Sequence, residues 1–517
     1  MPMLSSPPEA EGRRWGVEEV GEMSVRGLMI QGTASSVGKS VIVAGICRAL
    51  RREGFDVAPF KPQNMSNNAA VCADGGEIGC AQALQARAAC LAPTVDMNPV
   101  LLKPEGNEGS QVIVHGRPWG KVDGRNFLQV RAALKDAVME SFGRLADQHD
   151  VIIVEGAGSP AEINLREGDI ANMGFAETAD LPVVLAGDVD KGGVFASLVG
   201  TLALLSDAER ARIKGFLINK FRGTRALLDP GLKELESRTR KPVLGVIPFL
   251  DELRLPEEDG FFLGGAGQRW PEGRRTRIGV VALPHLSNAS DFDPLASAPG
   301  TAVRYVFRPA DVDECKALVL PGTKNTVAEL IHLHESGMSD AVLGLSRRGG
   351  AVAGICGGYQ MMGERVLDPD GVESGLKGAP GLGLLPVETV LTREKITGEA
   401  RGATFQGEDV FGYEIHVGRT SRVDGTGWFS RLTRRTTGEV IEDGCAVHGG
   451  RIWGTYLHGV FDSAEFCRKW LNDLGADLPG VPASARDSVE DGLDVLADAL
   501  IRGTRWTALK EVMGLVR

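Results

Sequence analysis

Two series of near-continuous apolar runs, each alternating with amphipathic stretches, constrain this chain more than any other feature. The first series passes through residues 28–31, 151–154, 183–186, 216–218 and 243–247, with helical stretches at 41–53 and 128–145 between them. Strands that are apolar on both faces belong inside a parallel sheet covered by helices on both sides. The stretch 251–275 breaks the pattern with acidic residues, paired glycines and scattered prolines. A second series follows at 277–283, 317–320 and 351–355, with shorter strands at 412–417 and 452–456. The expected fold is therefore α/β in two domains, over 25–250 and 276–475, joined by a linker at 251–275. Residues 476–517 read as a helical segment without a motif. A chain of 517 residues needs such a division, since one domain usually holds roughly 100–200 residues.

Composition narrows the function classes. There are 68 glycines, about 13% where roughly 7% is usual. They cluster after the apolar runs with no fixed period, as tight strand-to-helix turns require. Fifty-seven basic against 68 acidic residues leave a net charge of −11, which argues against non-specific nucleic-acid binding. No run of 18 apolar residues occurs, so no membrane span is expected. The eight cysteines include no C-x-x-C pair and read as buried thiols of a reducing cytoplasm. Residues 1–24 carry Glu9, Glu11, Glu18, Glu19 and Glu22 and no apolar core. They fit neither a secretory signal nor a transit peptide, and a disordered tail is expected. The sequence carries no sign of an oligomeric state.

The first chemical motif is Gly32-Thr-Ala-Ser-Ser-Val-Gly38-Lys39-Ser40, between a strand and a helix. That context makes it a phosphate loop, with one residue more between its glycines than the usual pattern. Backbone N–H groups and the helix N-terminus would hold phosphates, Lys39 would neutralise the β/γ oxygens, and the Ser40 hydroxyl would ligate Mg2+. Glu155 ends the apolar run 151–154 before Gly-Ala-Gly158. Carboxyl ends of parallel strands face the ligand crevice, so Glu155 is a second candidate for Mg2+. Asp188, Asp190 and Lys191 follow one later run, and Asn219, Lys220 and Arg222 follow another. Asn219 is a candidate for reading an adenine edge. The two aspartates and the basic residues are candidates for phosphate or substrate, and solvated loop charges are the even alternative.

The second motif is Gly354-Ile355-Cys356-Gly357-Gly358 after the apolar run 351–355. It is a nucleophile elbow with cysteine in place of serine. The helix that follows favours the thiolate, and the Gly357 N–H faces an oxyanion. A second oxyanion donor is expected from the turn at Gly322. The base must come from elsewhere: His458, at the end of the 452–456 strand, is preferred over His416. A lone cysteine or histidine is usually a packed core residue. An elbow and a strand-terminal histidine in one domain shift the balance to chemistry.

These motifs carry a resemblance. The Cys356 elbow, the Gly322 turn and Thr455-Tyr-Leu-His458 resemble the class I glutamine amidotransferase domain, and the phosphate loop with Glu155-Gly-Ala-Gly resembles dethiobiotin-synthetase-like ATPases. Joined in this order they are similar to the cobyrinic/cobyric acid amidating family of cobalamin synthesis. So are Phe60-Lys-Pro-Gln-Asn-Met-Ser66, Ser290-Asp-Phe-Asp-Pro-Leu295 and Gly412-Tyr-Glu-Ile-His416. The resemblance implies a P-loop domain followed by a glutaminase domain, with ATP, Mg2+, glutamine and a corrinoid polycarboxylate as ligands. It implies amidation of four peripheral carboxylates of adenosylcobyrinic acid a,c-diamide. Alternatives are the sister reaction on the a and c carboxylates, a related ligase acting on another carboxylate, and a P-loop partitioning ATPase. Class I glutaminases usually carry Glu two residues after the histidine, where this chain has Val460. Glu414, Asp462 or a backbone carbonyl are the candidates to orient His458 instead.

Overall fold

The computed structural model describes residues 25–105, 109–123, 127–250, 276–373, 375–423, 425–476 and 485–516, with 253, 255, 270, 273 and 478 between them. The expected tail at 1–24 and nearly all of the expected linker at 251–275 lie outside these residues. In the first domain six parallel strands run in the order Val243–Pro248, Ile213–Phe221, Val183–Asp188, Gly27–Gly32, Val151–Glu155 and Val57–Phe60. Alternate side chains point to opposite faces of a strand, and the core divides accordingly. Leu28, Ile30, Val151 and Ile153 pack on the face of helix Lys39–Arg52, whereas Met29, Ile152 and Val154 pack on the face of helix Phe127–Gln148. Both faces are apolar because both are covered.

Between Val57–Phe60 and Val151–Glu155 the chain builds a small sheet from Gln63–Met65, Val100–Glu105, Gly109–Val114 and Arg117–Val122. A further pair, Ala69–Val71 with Glu77–Gly79, lies beside it. These strands are short and interrupted by polar residues, so the apolar pattern does not announce them.

The second domain has the strand order Thr301–Val306, Thr276–Val281, Ala317–Leu320, Ala351–Ile355, Ile452–Thr455 and Cys445–Val447, parallel except for the last. Residues 412–417 are not part of this sheet, as the sequence had suggested. They belong to the long strand Asp409–Arg422, which pairs antiparallel with Val387–Thr404 in a separate sheet. A local apolar run gives strand propensity but not the partner.

The helix Ala485–Gly503 folds back onto the first domain. Its Leu493, Leu496, Ala497 and Leu500 enter the core beneath Lys39–Arg52. Gly45 permits this approach, since a Cβ there would stand 3.0 Å from Leu496 Cγ. Arg48 makes a two-pronged ion pair with Asp494 (2.8 and 3.0 Å), and Arg52 reaches Asp498 at 2.8 Å. Partly exposed ion pairs contribute about 0–1 kcal/mol each, so the buried leucines, at roughly 1.5–3 kcal/mol apiece, decide the docking.

The two domains meet where the small sheets of the first reach the strand Asp409–Arg422 of the second. Ala69, Val71, Leu101 and Ile113 form one apolar cluster with Ile415, against which Tyr413 packs. Beside it the deeply buried Glu77 is ion-paired with both the equally buried Lys103 of its own domain and the partly buried Lys395 of the other. Burial alone would raise the Glu77 carboxyl, but Lys103, Lys395 and Lys324 hold it well below the usual carboxylate range.

Candidate active sites

At the carboxyl edge of the first sheet, Gly32 leads into the loop and Lys39 opens the helix. Gly38 takes φ 92°, a left-handed conformation that glycine adopts freely. A Cβ at this position would also come within 2.2 Å of Asn219 Nδ2. Lys39 is buried, and its ammonium donates to the carbonyls of Ala34 (3.0 Å) and Gly158 (2.9 Å). Ser40 Oγ donates to Glu155 Oε1 at 2.8 Å, although the two residues are 115 positions apart. They are brought together because Val151–Glu155 is the strand next to Gly27–Gly32.

Glu155 sits in a dense polar shell. Lys61 Nζ is 2.7 Å from Oε1, and Gln85 Nε2 and Gln82 Nε2 donate to Oε2 at 2.5 and 3.4 Å. Burial pushes the carboxyl up, but Lys61, Gln85 and Lys39 outweigh it and hold Glu155 below its ordinary value, so it stays ionised. Lys61, Gln82 and Gln85 were missed as site residues. Lys61 stands in a string already matched to the family, but the glutamines lie on the helix Cys80–Ala88, whose position only the fold reveals. The Ser40 hydroxyl and the Glu155 carboxylate present two hard oxygens side by side, a donor set that fits Mg2+.

Two of the other strand-end residues, Asn219 and Lys220, brace the loop. Asn219 Nδ2, expected at an adenine edge, donates to Val37 O at 2.9 Å. Lys220 Nζ reaches Ser36 O at 2.7 Å and Asp188 Oδ2 at 3.0 Å. Arg222 pairs with Asp190 at 3.2 Å and lies 3.4 Å over the Phe249 ring. Lys191 is exposed in the loop before helix Val194–Leu204.

In the second domain, Gly322, Cys356 and His458 follow three neighbouring strands, Ala317–Leu320, Ala351–Ile355 and Ile452–Thr455. Cys356 holds φ 53°, ψ −110°, a strained conformation for a residue with a side chain. Its flanking glycines are needed for close packing. A Cβ at Gly358 would fall 1.9 Å from Leu320 O, and one at Gly354 would fall 2.5 Å from Met362 Sδ. Gly322 stands against the histidine, where a Cβ would approach His458 Cε1 at 3.2 Å. Gly357 abuts the same turn, with its Cβ position 3.0 Å from Thr323 N.

His458 is buried and its Nδ1 lies 2.7 Å from Asp291 Oδ2, while Gly459 N donates to Asp291 Oδ1 at 2.9 Å. Asp291 is therefore the group that orients the histidine, and none of the three expected candidates is. Glu414 is occupied by Arg434 at 2.7 and 3.0 Å. Asp462 is pushed up to about 7, chiefly by burial and then by the charge of Asp291. Asp291 stands in the quoted string Ser290–Leu295, but 167 residues separate it from His458, so no spacing could pair them. Burial would lower the imidazole, yet Asp291 and a hydrogen bond with Cys356 raise it to about 10. Nδ1–H donating to Asp291 leaves Nε2 for the sulfur, and an imidazolium there is the partner a thiolate needs. His416, the competitor, is stacked 3.6 Å on Tyr456 with Nδ1 3.0 Å from Gly418 O, and it is not part of this triad.

Known proteins match both domains. Residues 28–260 match the CobQ/CobB/MinD/ParA nucleotide binding domain, and residues 277–466 match the CobB/CobQ-like glutamine amidotransferase domain. Among curated relatives, the cobyric acid synthase of Cereibacter sphaeroides (strain ATCC 17023) is 51% identical over 92% of this chain and 96% of its own length. That of Brucella canis is 48% identical over 92% and 97%. That of Sorangium cellulosum (strain So ce56) is 47% identical over 96% of this chain and all of its own length. With both domains matched and such relatives aligned nearly end to end, the chain belongs to the cobyric acid synthase family.

Proposed function

We propose that the protein amidates the b, d, e and g carboxylates of adenosylcobyrinic acid a,c-diamide, spending ATP and glutamine and giving adenosylcobyric acid. The observation that carries this reading is the coexistence, in one chain, of a Cys356–His458–Asp291 constellation and a phosphate loop with a buried, ionised Glu155. A partitioning ATPase would use the second and leave the first without a purpose.

A carboxylate does not condense with ammonia in water, because its carbon is a poor electrophile and hydroxide a poor leaving group. Phosphoryl transfer from ATP converts it to an acyl phosphate, which ammonia displaces. Lys39 leaves its two carbonyl partners for the transferring phosphoryl group and offsets its charge. Ser40 and Glu155 would hold Mg2+, which would supply further neutralisation of phosphate charge. Asn219 and Lys220 keep the loop carbonyls of Val37 and Ser36 turned away from the phosphates. In the second domain the Cys356 thiolate attacks the glutamine amide carbon and forms a γ-glutamyl thioester. His458 protonates the leaving ammonia and then activates water for thioester hydrolysis. N–H groups at the Gly357 and Gly322 turns stabilise the oxyanion.

Asp291 keeps His458 in its acid form. The imidazolium is favoured in the folded protein, so this contribution is complete below the ordinary histidine range and is lost as pH rises through about 10. In Asp291→Asn the alkaline limb of the glutaminase profile is expected to move to lower pH. The kcat is expected to fall by roughly 10²–10⁴-fold, the usual worth of a positioned acid–base group. An unchanged alkaline limb in a pH–rate titration would show that Asp291 does not tune the histidine.

The reading as a whole is tested by mass-resolved turnover with ATP, Mg2+, glutamine and adenosylcobyrinic acid a,c-diamide. Each amidation replaces OH by NH2 and lowers the mass by about one unit. Four successive losses are expected. Turnover only with cobyrinic acid, stopping after two losses, would assign the sister reaction. Intact glutaminase activity with no loss on either corrinoid would move the ligase to another carboxylate.

A further inference from the structure

Asn288 is buried and takes φ 56°, ψ 51°, a left-handed conformation that is uncommon for a residue with a side chain. Backbone outliers of this kind persist only where the surroundings hold them. Here the holding groups come from the other domain. Asn288 N donates to Asn68 Oδ1 at 2.6 Å, and Asn288 Oδ1 accepts from Ala69 N at 3.2 Å. Residues 68 and 69 lie at the start of the small strand pair of the first domain, some 220 positions away. The remaining polar atom of the side chain, Nδ2, stands 3.3 Å from His458 Nδ1.

That nitrogen gives its proton to Asp291, so Asn288 Nδ2 is not its hydrogen-bond partner but packs against the same edge of the ring. The opposite constraint also comes from the domain interface. Tyr413 stacks on the His458 ring at 5.2 Å and 16°, and its backbone exchanges two hydrogen bonds with His458 (3.1 and 2.9 Å). The same tyrosine packs against the interdomain cluster of Ala69, Val71, Leu101, Ile113 and Ile415. The histidine is thus flanked on its edge by the Asn288 amide and on its face by Tyr413, and each of these rests on the first domain.

We infer that Asn288 is a positioning residue through which docking of the first domain, by Asn68 and Ala69, sets the His458 ring for attack by Cys356. Glutamine hydrolysis is then competent only while the two domains are docked, which restricts ammonia release to a chain whose ligase site is in place. This rests on the reading of Cys356 and His458 as the glutaminase pair. The hydrogen bonds and close contact of Asn288 run to Asn68, Ala69, Asp291 and His458, so its effect falls on turnover and spares both glutamine affinity and the ligase.

Two variants of the full chain test the inference. Asn68→Ala removes the acceptor for Asn288 N–H, and Asn288→Gly removes the side chain while suiting the left-handed backbone. For each, glutaminase kcat is expected to fall about tenfold or more, as small misplacements of catalytic groups do. The KM for glutamine and the ammonia-supported amidation rate should stay within about twofold of the parent. Asn68→Asp, which keeps an acceptor oxygen, should restore most of the lost kcat. Undiminished glutaminase kcat in both variants overturns the inference. So does a parallel loss of kcat, glutamine affinity and ammonia-supported activity with a lowered melting temperature, which marks a contact that only maintains the fold. Failure of the underlying reading is told apart by Cys356→Ala: if that variant still hydrolyses glutamine, the glutaminase assignment itself falls.

Discussion

Replacing Cys356 with alanine is expected to abolish glutamine-supported amidation, by at least roughly 10³-fold, the scale of losing a covalent nucleophile. Amidation with added ammonia should persist within about twofold. The two activities separate because the sulfur belongs to one domain and the phosphate chemistry to the other. Cys356 lies at the carboxyl end of Ala351–Ile355 beside His458, whereas Lys39 reaches the carbonyls of Ala34 and Gly158, and Ser40 bonds Glu155, all within the first domain. Alanine tolerates the elbow about as well as cysteine, since both carry only a Cβ into the left-handed backbone, so the variant should fold. The ammonia-supported rate should climb with pH as the free base becomes more abundant. The measurement is phosphate release and product mass with each nitrogen donor in turn. Loss of both activities in a folded variant would make Cys356 structural.

Replacing Lys39 with alanine has the opposite signature: both nitrogen donors should fail together, by roughly 10²–10³-fold or more, as for removal of one group that stabilises transition-state charge. No acyl phosphate forms, so ammonia has nothing to displace. Glutamine hydrolysis itself, measured as glutamate formed, should be altered much less. Lys39 is nearly fully buried and reaches two loop carbonyls. Some loss of thermal stability is therefore expected from Lys39→Ala, and Lys39→Met, which keeps most of the apolar stem, separates that effect from the lost charge. A variant that still amidates with either donor would remove the phosphate loop from the mechanism.

The sequence alone determined the elements whose chemistry is local. A phosphate loop is a contiguous string because its job is done by consecutive backbone N–H groups and the first turn of one helix. An elbow is contiguous because a single strained turn exposes the sulfur. Apolar runs reported buried parallel strands for a similar reason: a strand covered on both faces must be apolar at every position, whatever its neighbours.

What needed the tertiary structure were the pairings across distance. Asp291 became the partner of His458 because the turn after Thr276–Val281 and the end of Ile452–Thr455 meet at one edge of a sheet, not because of any spacing. Lys61, Gln82 and Gln85 gathered on Glu155 in the same way. The strand at 412–417 left the sheet it was assigned to, and the apolar stripe of Ala485–Gly503 found its cover on the first domain. Amphipathic patterning says that a face must be buried, while the choice of what buries it is made by the packing of the whole chain. The sequence therefore carried the reacting groups, and the fold decided which charges, hydrogen bonds and neighbouring domain hold them ready.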